Sequence, residues 1–338
     1  MDLLMGTTAT GGKLCLLLRQ PEGVEGRSTV VTYLPDARPQ WLQQTFDGEF
    51  VALCPAPANS RGADFLALTG EGLVYFLRSG TSVQIPGAGF NRPGSRNLGR
   101  MDNLMLLGTE LVATGYGGQA YRATDGENWA PAAPTFPIPP VSQDTIRFGW
   151  AALQSARFRY VFGGEVVTGL SIPTDFGGLG GATNIAAMIR AQARRDYGTL
   201  WLLQDGRWQD VELPTNSTLD QIVTADGKIV YLRFRPGVVY STTDFADMTE
   251  VAVNDAGLSA LGVHQGSALL ADEASLFTLA PDGTAPFEPP LPPMTDRMLE
   301  LSSSDGILHV IRESSVWRLV AGTWEEIAIP PDVVALPR

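Results

Sequence analysis

Two clusters of arginine residues carry the most specific chemistry in this sequence. One cluster lies in a stretch rich in glycine, proline and asparagine, and the other lies in a later segment of mixed composition. The guanidinium group presents a planar fork of donors that suits bidentate contacts with carboxylates or phosphates. We therefore take these arginines as candidate residues for binding carboxylates of a protein partner. They are Arg92, Arg96, Arg100, Arg190, Arg194 and Arg195.

Sequence patterns for catalysis or for metal binding are largely missing. His264 and His309 each lie alone in a strand-like run, so no His-Glu-x-x-His zinc site can be written. Neither a Gly-x-Ser-x-Gly elbow nor a phosphate-binding P-loop occurs, and Gly177–Gly181 lacks the spacing of a dinucleotide-binding loop. Cys15 and Cys54 lie in apolar surroundings, which favours buried thiols over a nucleophile. We therefore predict a non-enzymatic protein with no cofactor and no metal site.

The charge of the chain limits its partners. It has 36 acidic and 24 basic residues, a formal net charge of -12, and only two of the basic residues are lysine, Lys13 and Lys228. This balance disfavours general binding to nucleic acid or to a membrane surface, because such binding depends on basic side chains that neutralise phosphates. It is typical of a soluble protein, and it would also attract a basic partner. The arginine clusters themselves have an ordinary alternative, a solvated surface that packs on neighbouring acidic residues.

The N-terminal segment indicates the compartment. Met1–Gly6 contains no basic residue, and no run of about 18 apolar residues follows it or occurs elsewhere. Two cysteines in 338 residues exclude a disulfide framework. We therefore expect a soluble, cytoplasmic protein.

A β-hairpin pattern recurs along the chain and predicts the fold. In residues 198–214, an apolar run that contains Trp201 reaches Asp205-Gly206 and is followed by an alternating run that ends at Pro214. A period of about 40 residues with several short strands per unit is typical of a β-propeller blade. We predict a single all-β propeller domain, with seven four-stranded blades and six as the alternative. The repeated aromatic residues, separated by 46, 80, 39, 37 and 40 positions, are Tyr75, Tyr121, Trp201, Tyr240, Phe277 and Trp317.

The repeat also predicts the blade boundaries. Residues 1–35 are too short for a complete blade, so we expect the C-terminal segment 331–338 to add to the first blade and close the ring, which removes exposed sheet edges. The long spacing before Trp201 indicates one blade with an insertion, residues 168–197. The remaining predicted blades are Trp41–Pro86, Met101–Pro134, Leu219–Val253, Leu258–Pro290 and Met298–Pro330.

The insertion contains the one segment that predicts a helix. Residues 183–195 begin with Thr183 or Asn184 as a cap, and apolar residues follow at helical spacing. In a propeller, loops between blades and loops between the second and third strands of a blade emerge on the same face. We therefore expect the helix and the loop with Arg92, Arg96 and Arg100 to share one binding surface on a rigid scaffold.

One short motif resembles a known repeat family. Ala123–Trp129 resembles a shortened Asp-box, the Ser-x-Asp-x-Gly-x-Thr-Trp turn of bacterial neuraminidase-type (BNR) repeats, with Ala123 in place of serine and one residue fewer. Asp-boxes are structural turns, so the resemblance implies a propeller fold and not an activity. A neuraminidase-like enzyme assembles arginines, a tyrosine and paired carboxylates from different blades. A sugar-binding or sugar-cleaving propeller is therefore the alternative function.

A second resemblance suggests a specific role. Residues 99–122 are similar to bacterial propeller proteins encoded beside secreted antibacterial toxins, in which the propeller is the immunity partner. The resemblance implies a binding protein that neutralises a cognate bacterial toxin. The acidic remainder of the chain would suit a basic toxin such as a nuclease, which leaves open whether the arginine surface or an acidic surface binds it. A general assembly scaffold is a third interpretation.

Overall fold

The computed structural model describes residues 2–20, 26–90, 92–132, 144–153, 160–168, 197–235, 237–253, 260–293 and 296–333. These residues form 28 strands in seven sheets, and each sheet contains four antiparallel strands. The prediction of a seven-bladed, all-β propeller is thus confirmed. In the described ranges we find no helix with the length and apolar character needed to cross a bilayer.

Each blade takes its four strands from one continuous stretch of chain, and the strands are numbered in chain order. The first three blades contain β1 Leu3–Ala9, β2 Lys13–Leu18, β3 Arg27–Tyr33, β4 Trp41–Asp47; β5 Phe50–Pro55, β6 Phe65–Thr69, β7 Leu73–Phe76, β8 Thr81–Gln84; β9 Met101–Leu107, β10 Glu110–Gly115, β11 Gln119–Ala123 and β12 Ala130–Pro131. The fourth and fifth contain β13 Asp144–Leu153, β14 Tyr160–Thr168, β15 Tyr197–Gln204, β16 Arg207–Asp210; β17 Leu219–Ala225, β18 Ile229–Phe234, β19 Val238–Thr242 and β20 Thr249–Val253. The sixth and seventh contain β21 Ala260–His264, β22 Ser267–Ala271, β23 Leu276–Ala280, β24 Gly283–Pro286; β25 Met298–Ser304, β26 Ile307–Arg312, β27 Val316–Val320 and β28 Thr323–Glu326.

The second strand of each blade lies in the core. β2, β10, β18 and β26 are buried at every position after the first, because neighbouring blades cover both faces of the sheet. Their sequences are correspondingly near-continuous apolar runs instead of alternating ones. Outer strands such as β8 and β16 are largely exposed. Apolar packing between blades therefore holds the ring together.

Tight hairpin turns occur at three Asp-Gly pairs, one of which, Asp205-Gly206, was predicted from the sequence. Asp205-Gly206, Asp226-Gly227 and Asp305-Gly306 each have positive φ at both residues, from +49° to +75°. Two consecutive left-handed residues match the twist of the flanking strands, and aspartate and glycine tolerate this conformation.

The prediction for the first blade is wrong. β1 to β4 form a complete sheet from Leu3 to Asp47, so residues 1–35 are not an isolated fragment, and Trp41 begins the outer strand of this blade. The second blade begins at Phe50. The boundary was misplaced because β3 has Val31 opposite the fourth residue of the second strand, where the third strands of later blades have the repeated aromatic residue.

The ring closes between the seventh and first blades. The hydroxyl oxygens of Thr8 and Ser302 lie 2.8 Å apart, and the Leu3 amide donates 2.8 Å to the carbonyl of Glu313. Val333 packs against the apolar cluster at this junction. Residues 331–333 form a turn and no strand, and residues 334–338 of the predicted closing segment lie outside the described residues.

The long spacing between Tyr121 and Trp201 corresponds to one blade. Both residues lie in third strands, β11 and β15, of consecutive blades. Residues 169–196 connect β14 to β15, the second and third strands of the fourth blade. The predicted helix at 183–195 and the glycine run before it lie outside the described residues.

Candidate protein-binding surface

The predicted arginine cluster between the second and third blades lies on an anchored loop. We call residues 87–100 the arginine loop; it lies between the outer strand β8 and the inner strand β9. At its start, the amide of Arg96 donates 3.0 Å to the carbonyl of Gly87. At its end, the amide of Tyr116 donates 2.9 Å to the carbonyl of Arg100, and the next residue, Met101, donates 2.7 Å to Gly70. The loop thus contacts the turns of both blades on the same face.

Gln119 contacts both the beginning and the end of the arginine loop. Its side chain is fully buried. The amide nitrogen donates to the carbonyls of Gly99 at 2.9 Å and Tyr116 at 3.0 Å, and the side-chain oxygen accepts the amide of Gly89 at 3.2 Å. A buried carboxamide with such partners fixes the backbone that it contacts, because each lost bond would leave a polar group unpaired in the interior.

Two glycines allow the loop to lie close to its neighbours. Gly89 has φ of +78°, and a Cβ there would lie 2.4 Å from the carbonyl oxygen of Glu71. Gly99 has φ of +117°, and a Cβ there would lie 2.6 Å from the Cβ of Tyr116. A side chain at either position would be excluded both by the backbone conformation and by the close contact.

Two of the predicted arginines are exposed, and contacts with neighbouring side chains hold each of them in place. Arg92 donates through Nη1 to the side-chain oxygen of Gln84 at 3.0 Å, and its Nε lies 3.9 Å from Glu71. The Arg96 guanidinium carbon lies 5.8 Å from the centre of the Tyr121 ring, and Nη2 donates 3.1 Å to the phenolic oxygen. Stacking and hydrogen bonding restrict both side chains before any partner arrives.

Arg100 differs from the other two arginines of the loop. It is partly buried beside Gly70, and its Nε is buried without a hydrogen-bond partner in the described part of the chain. Phe90, on the same loop, is 36% exposed. The described surface therefore consists of Arg92, Arg96 and the exposed ring of Phe90. Arg100 is more buried than these residues.

The second predicted cluster cannot be placed beside the first. Arg190, Arg194 and Arg195 lie outside the described residues, between β14 and β15. That they share a surface with the arginine loop stays a prediction. Sequence reasoning missed Gln119 as the anchor of the loop and Tyr121 as the ring under Arg96. Tyr121 was available as a repeat aromatic, whereas Gln119 gave no signal.

The turn that resembles an Asp-box lies on the opposite face. The Asp125 carboxylate accepts the amides of Glu127 at 2.8 Å and Asn128 at 2.9 Å, and the hydrogen bonds from Asn128 contribute most to lowering its pKa. Trp129 donates its ring N–H to the carbonyl of Gly126 at 2.8 Å. These contacts close a structural turn and leave no free catalytic group in it.

The same face carries acidic side chains at the hairpin tips of the later blades. These residues lie in turns between first and second strands or between third and fourth strands, opposite the arginine loop. They are Asp205, Asp226, Asp244, Asp282 and Asp305. An acidic alternative to the arginine surface is thus present.

Titratable core groups are in environments that suppress their reactivity. Burial raises the pKa of the Cys15 thiol to about 12 and raises that of Cys54 further. Burial and the positive charge of Arg318 lower the pKa of His309 to about 4. Within the described ranges, no group of three or more metal-ligating side chains comes together.

Comparisons with known proteins support the architecture. No protein-family model and no curated protein matches the sequence. Among solved structures, virginiamycin B lyase from Staphylococcus aureus aligns with a TM-score of 0.54 and 13% identity over 90% of this chain and 89% of the other. YCF48 bound to D1 peptide aligns with a TM-score of 0.54 and 13% identity over 99% and 94%. The WD40 β-propeller domain of Doa1 aligns with a TM-score of 0.51 and 10% identity over 99% and 95%. At these identities the similarity shows the propeller fold alone.

Proposed function

We propose that this chain is a non-enzymatic propeller that binds a protein partner through the face of the arginine loop. The anchoring of this loop by buried Gln119 carries the proposal, because a surface that is ordered before binding loses little conformational entropy on binding. Arg92 and Arg96 would contact carboxylates of the partner, and Phe90, on the same loop, would supply an apolar anchor.

The specific role that we propose is that of a cytoplasmic immunity protein for a cognate bacterial toxin. Residues 99–122, which resemble immunity propellers, begin at the end of the arginine loop and include Tyr121 beneath Arg96. Blocking a toxin requires a rigid, complementary surface and no cofactor. YCF48, a propeller of similar fold, is solved with a bound peptide, which gives general support to a binding role.

The alternative function, a sugar-binding or neuraminidase-like propeller, rests on the turn around Asp125. That turn is structural, so it favours a shared architecture and supplies no sugar-cleaving group. Hydrolysis of a fluorogenic sialoside by the purified protein would support this alternative and would contradict the non-enzymatic proposal.

The first experiment identifies the partner. The tagged protein is purified from its native host, its mass is measured by size-exclusion chromatography with light scattering, and co-eluting proteins are identified by mass spectrometry. We expect one stoichiometric partner whose toxicity is suppressed when both genes are expressed together. A partner whose toxicity is unchanged by co-expression would contradict the immunity role and leave the binding role intact.

The binding face is tested with charge reversals. The double variant Arg92→Glu and Arg96→Glu should weaken partner binding by about a hundredfold or more, because it places like charges against the partner's carboxylates. Arg38→Glu with Arg207→Glu is the matched control, since both arginines are exposed on the opposite face and the change in net charge is the same. The triple variant Arg190→Glu, Arg194→Glu and Arg195→Glu tests the second cluster in the same way. If only the control changes the affinity, the acidic face is the interface.

A further inference from the structure

A cleft lies between the sixth and seventh blades, on the face opposite the arginine loop. Its cavity volume is about 350 Å³, within the range of pockets that hold small molecules. His264 from the sixth blade and Leu319 from the seventh are its buried lining residues, and Phe287 from the sixth blade is partly exposed. Exposed residues around them, among them Gln265, Ser267 and Glu288, also line it.

Hydrogen bonds between the blades hold the cleft at two positions. On the inner strands, Nδ1 of His264 lies 2.9 Å from the hydroxyl of Ser303. On the outer side, the ring N–H of Trp324 donates 3.1 Å to the carbonyl of Pro289. The two bonds fix the separation of the blades, so the cleft is formed without a ligand.

His264 lines this cleft and has one ring nitrogen without a hydrogen bond in the described residues. Its side chain is 6% exposed. Ser303 occupies Nδ1, and Nε2 makes no hydrogen bond in the described part of the chain. Burial lowers the pKa of His264, so the ring is neutral near pH 7, and either ring nitrogen can carry the proton. An imidazole in a cavity with one ring nitrogen left unbonded can donate a hydrogen bond to a ligand or accept one from it.

The remaining lining selects the kind of ligand. Hydroxyl, carboxamide and carboxylate groups from Ser267, Thr278, Gln265 and Glu288 supply both donors and acceptors. The described lining contains no lysine or arginine, so nothing in it would compensate an anionic ligand. Phe287 offers an apolar ring near His264, with the ring centres 6.5 Å apart.

We propose that this cleft binds a small, neutral, polyhydroxylated ligand of the monosaccharide class. Each sugar hydroxyl donates and accepts at once, which matches the mixed groups of the lining, and the apolar face of the sugar ring would pack on Phe287. The site is separate from the arginine loop and does not depend on partner binding there.

The proposal is tested by saturation-transfer NMR followed by calorimetry. The probes are D-glucose, D-galactose and N-acetyl-D-glucosamine, and the anionic comparison probes are glucose 6-phosphate and gluconate. We expect at least one neutral sugar to bind saturably and the anionic probes to bind at least about tenfold more weakly. Absence of saturable binding by every neutral sugar, or equal binding of the anions, would overturn the proposal.

Paired variants locate any binding that is found. Ser267→Trp should fill the cleft and abolish binding, whereas Thr284→Trp, at an exposed outer-strand position of the same blade, should leave it unchanged. Glu288→Gln should weaken binding by about tenfold, and Glu326→Gln, an exposed carboxylate outside the cleft, should have no effect. Sugar binding that persists in Ser267→Trp would exclude this cleft. Partner binding can be measured with the same variants. Because these variants leave the arginine loop unchanged, failure of the ligand proposal can be distinguished from failure of the partner proposal.

Discussion

The side-chain amide of Gln119 donates a hydrogen bond of 2.9 Å to the carbonyl oxygen of Gly99, twenty residues earlier in the chain. This bond, together with the one from Gly89, makes the arginine loop part of the third blade. A binding surface that is ordered in this way depends on a residue that no partner would touch. The integrity of the surface can therefore be altered without changing its exposed charges.

We predict that Gln119→Leu will destabilise the protein and release the arginine loop. The substitution removes the partner of the buried Gly89 amide and the side-chain bond to the Gly99 carbonyl, whereas the Tyr116 carbonyl keeps the backbone amide of residue 119; the loss typically costs about 2–3 kcal/mol. Urea unfolding measures the loss, and limited trypsin digestion reports exposure of the loop, because trypsin cleaves after arginine. Gln209→Leu, at an exposed position of β16, is the control. Trypsin resistance equal to that of the wild type would contradict the anchoring role.

The fold was predictable from sequence because it depends on local, repeated signals. Tyr121, Trp201 and Trp317 lie at the predicted place in third strands, and Asp-Gly turns follow two of them in the sequence. The first blade was not recognised because Val31 takes that position, opposite Leu16 of the second strand, as Trp317 lies opposite Val310 in the seventh blade. A repeat defined by aromatic residues cannot detect a copy that lacks one.

The site was only partly predictable, because its geometry comes from distant contacts. Arg92 and Arg96 stand out by composition, in a loop that has no acidic residue. Nothing local distinguishes buried Gln119 from an exposed glutamine, since its partners are twenty and thirty positions away. The cleft at His264 is formed by two blades and has no continuous sequence signature.

Asp220 and Arg233 form a buried ion pair on the first two strands of the fifth blade. Nε and Nη2 of Arg233 each donate 2.8 Å to the carboxylate, and Arg235 adds a bond of 3.0 Å. We predict that Asp220→Ala destabilises the protein by about 3 kcal/mol, because it leaves a buried guanidinium without its carboxylate. Replacing both residues by Asp220→Leu and Arg233→Met should restore most of this loss.

The control for this ion pair is the exposed pair Arg318 and Glu325. Glu325→Gln should change the free energy of unfolding by about 0.5 kcal/mol or less. Chemical denaturation of all variants at one pH provides the comparison. If Asp220→Ala behaves like Glu325→Gln, the buried pair is not a stabilising element.

Glu300 makes the junction between the seventh and first blades sensitive to alkaline pH. Burial raises the pKa of this carboxyl from 4.5 to about 7, and a hydrogen bond from the Gly6 backbone opposes the rise. The fifth blade has a comparable position, because its inner strand β17 has a register shift just before Gln221, as β25 has just before Glu300. There the neutral side chain of Gln221 accepts the Leu261 amide at 2.6 Å. The folded state therefore favours the protonated form of Glu300.

We predict that Glu300→Gln will stabilise the protein above pH 7. The wild-type protein binds the Glu300 proton more tightly when folded, so its stability should fall as the pH rises from about 4.5 through 7. The variant should lack this fall and exceed the wild type by about 2–3 kcal/mol at pH 8. Unfolding free energies measured from pH 5 to pH 8.5 give the comparison, with exposed Glu49→Gln as the control. Parallel curves for wild type and Glu300→Gln would refute the assignment.

His309 makes the stability of the protein sensitive to acidic pH, opposite to the effect of Glu300. Its side chain is 1% exposed, Nδ1 is buried without a hydrogen-bond partner in the described residues, and burial together with Arg318 lowers its pKa from 6.5 to about 4. Protonation is thus favoured in the unfolded state, so the contribution of His309 to stability is present above about pH 6.5 and is lost as the pH falls toward 4. We predict that His309→Leu will reduce this loss of stability at acidic pH, because leucine fills similar volume and binds no proton. Acid unfolding followed by circular dichroism should show a lower midpoint pH for the variant, and an unchanged midpoint would show that carboxylates elsewhere govern acid unfolding.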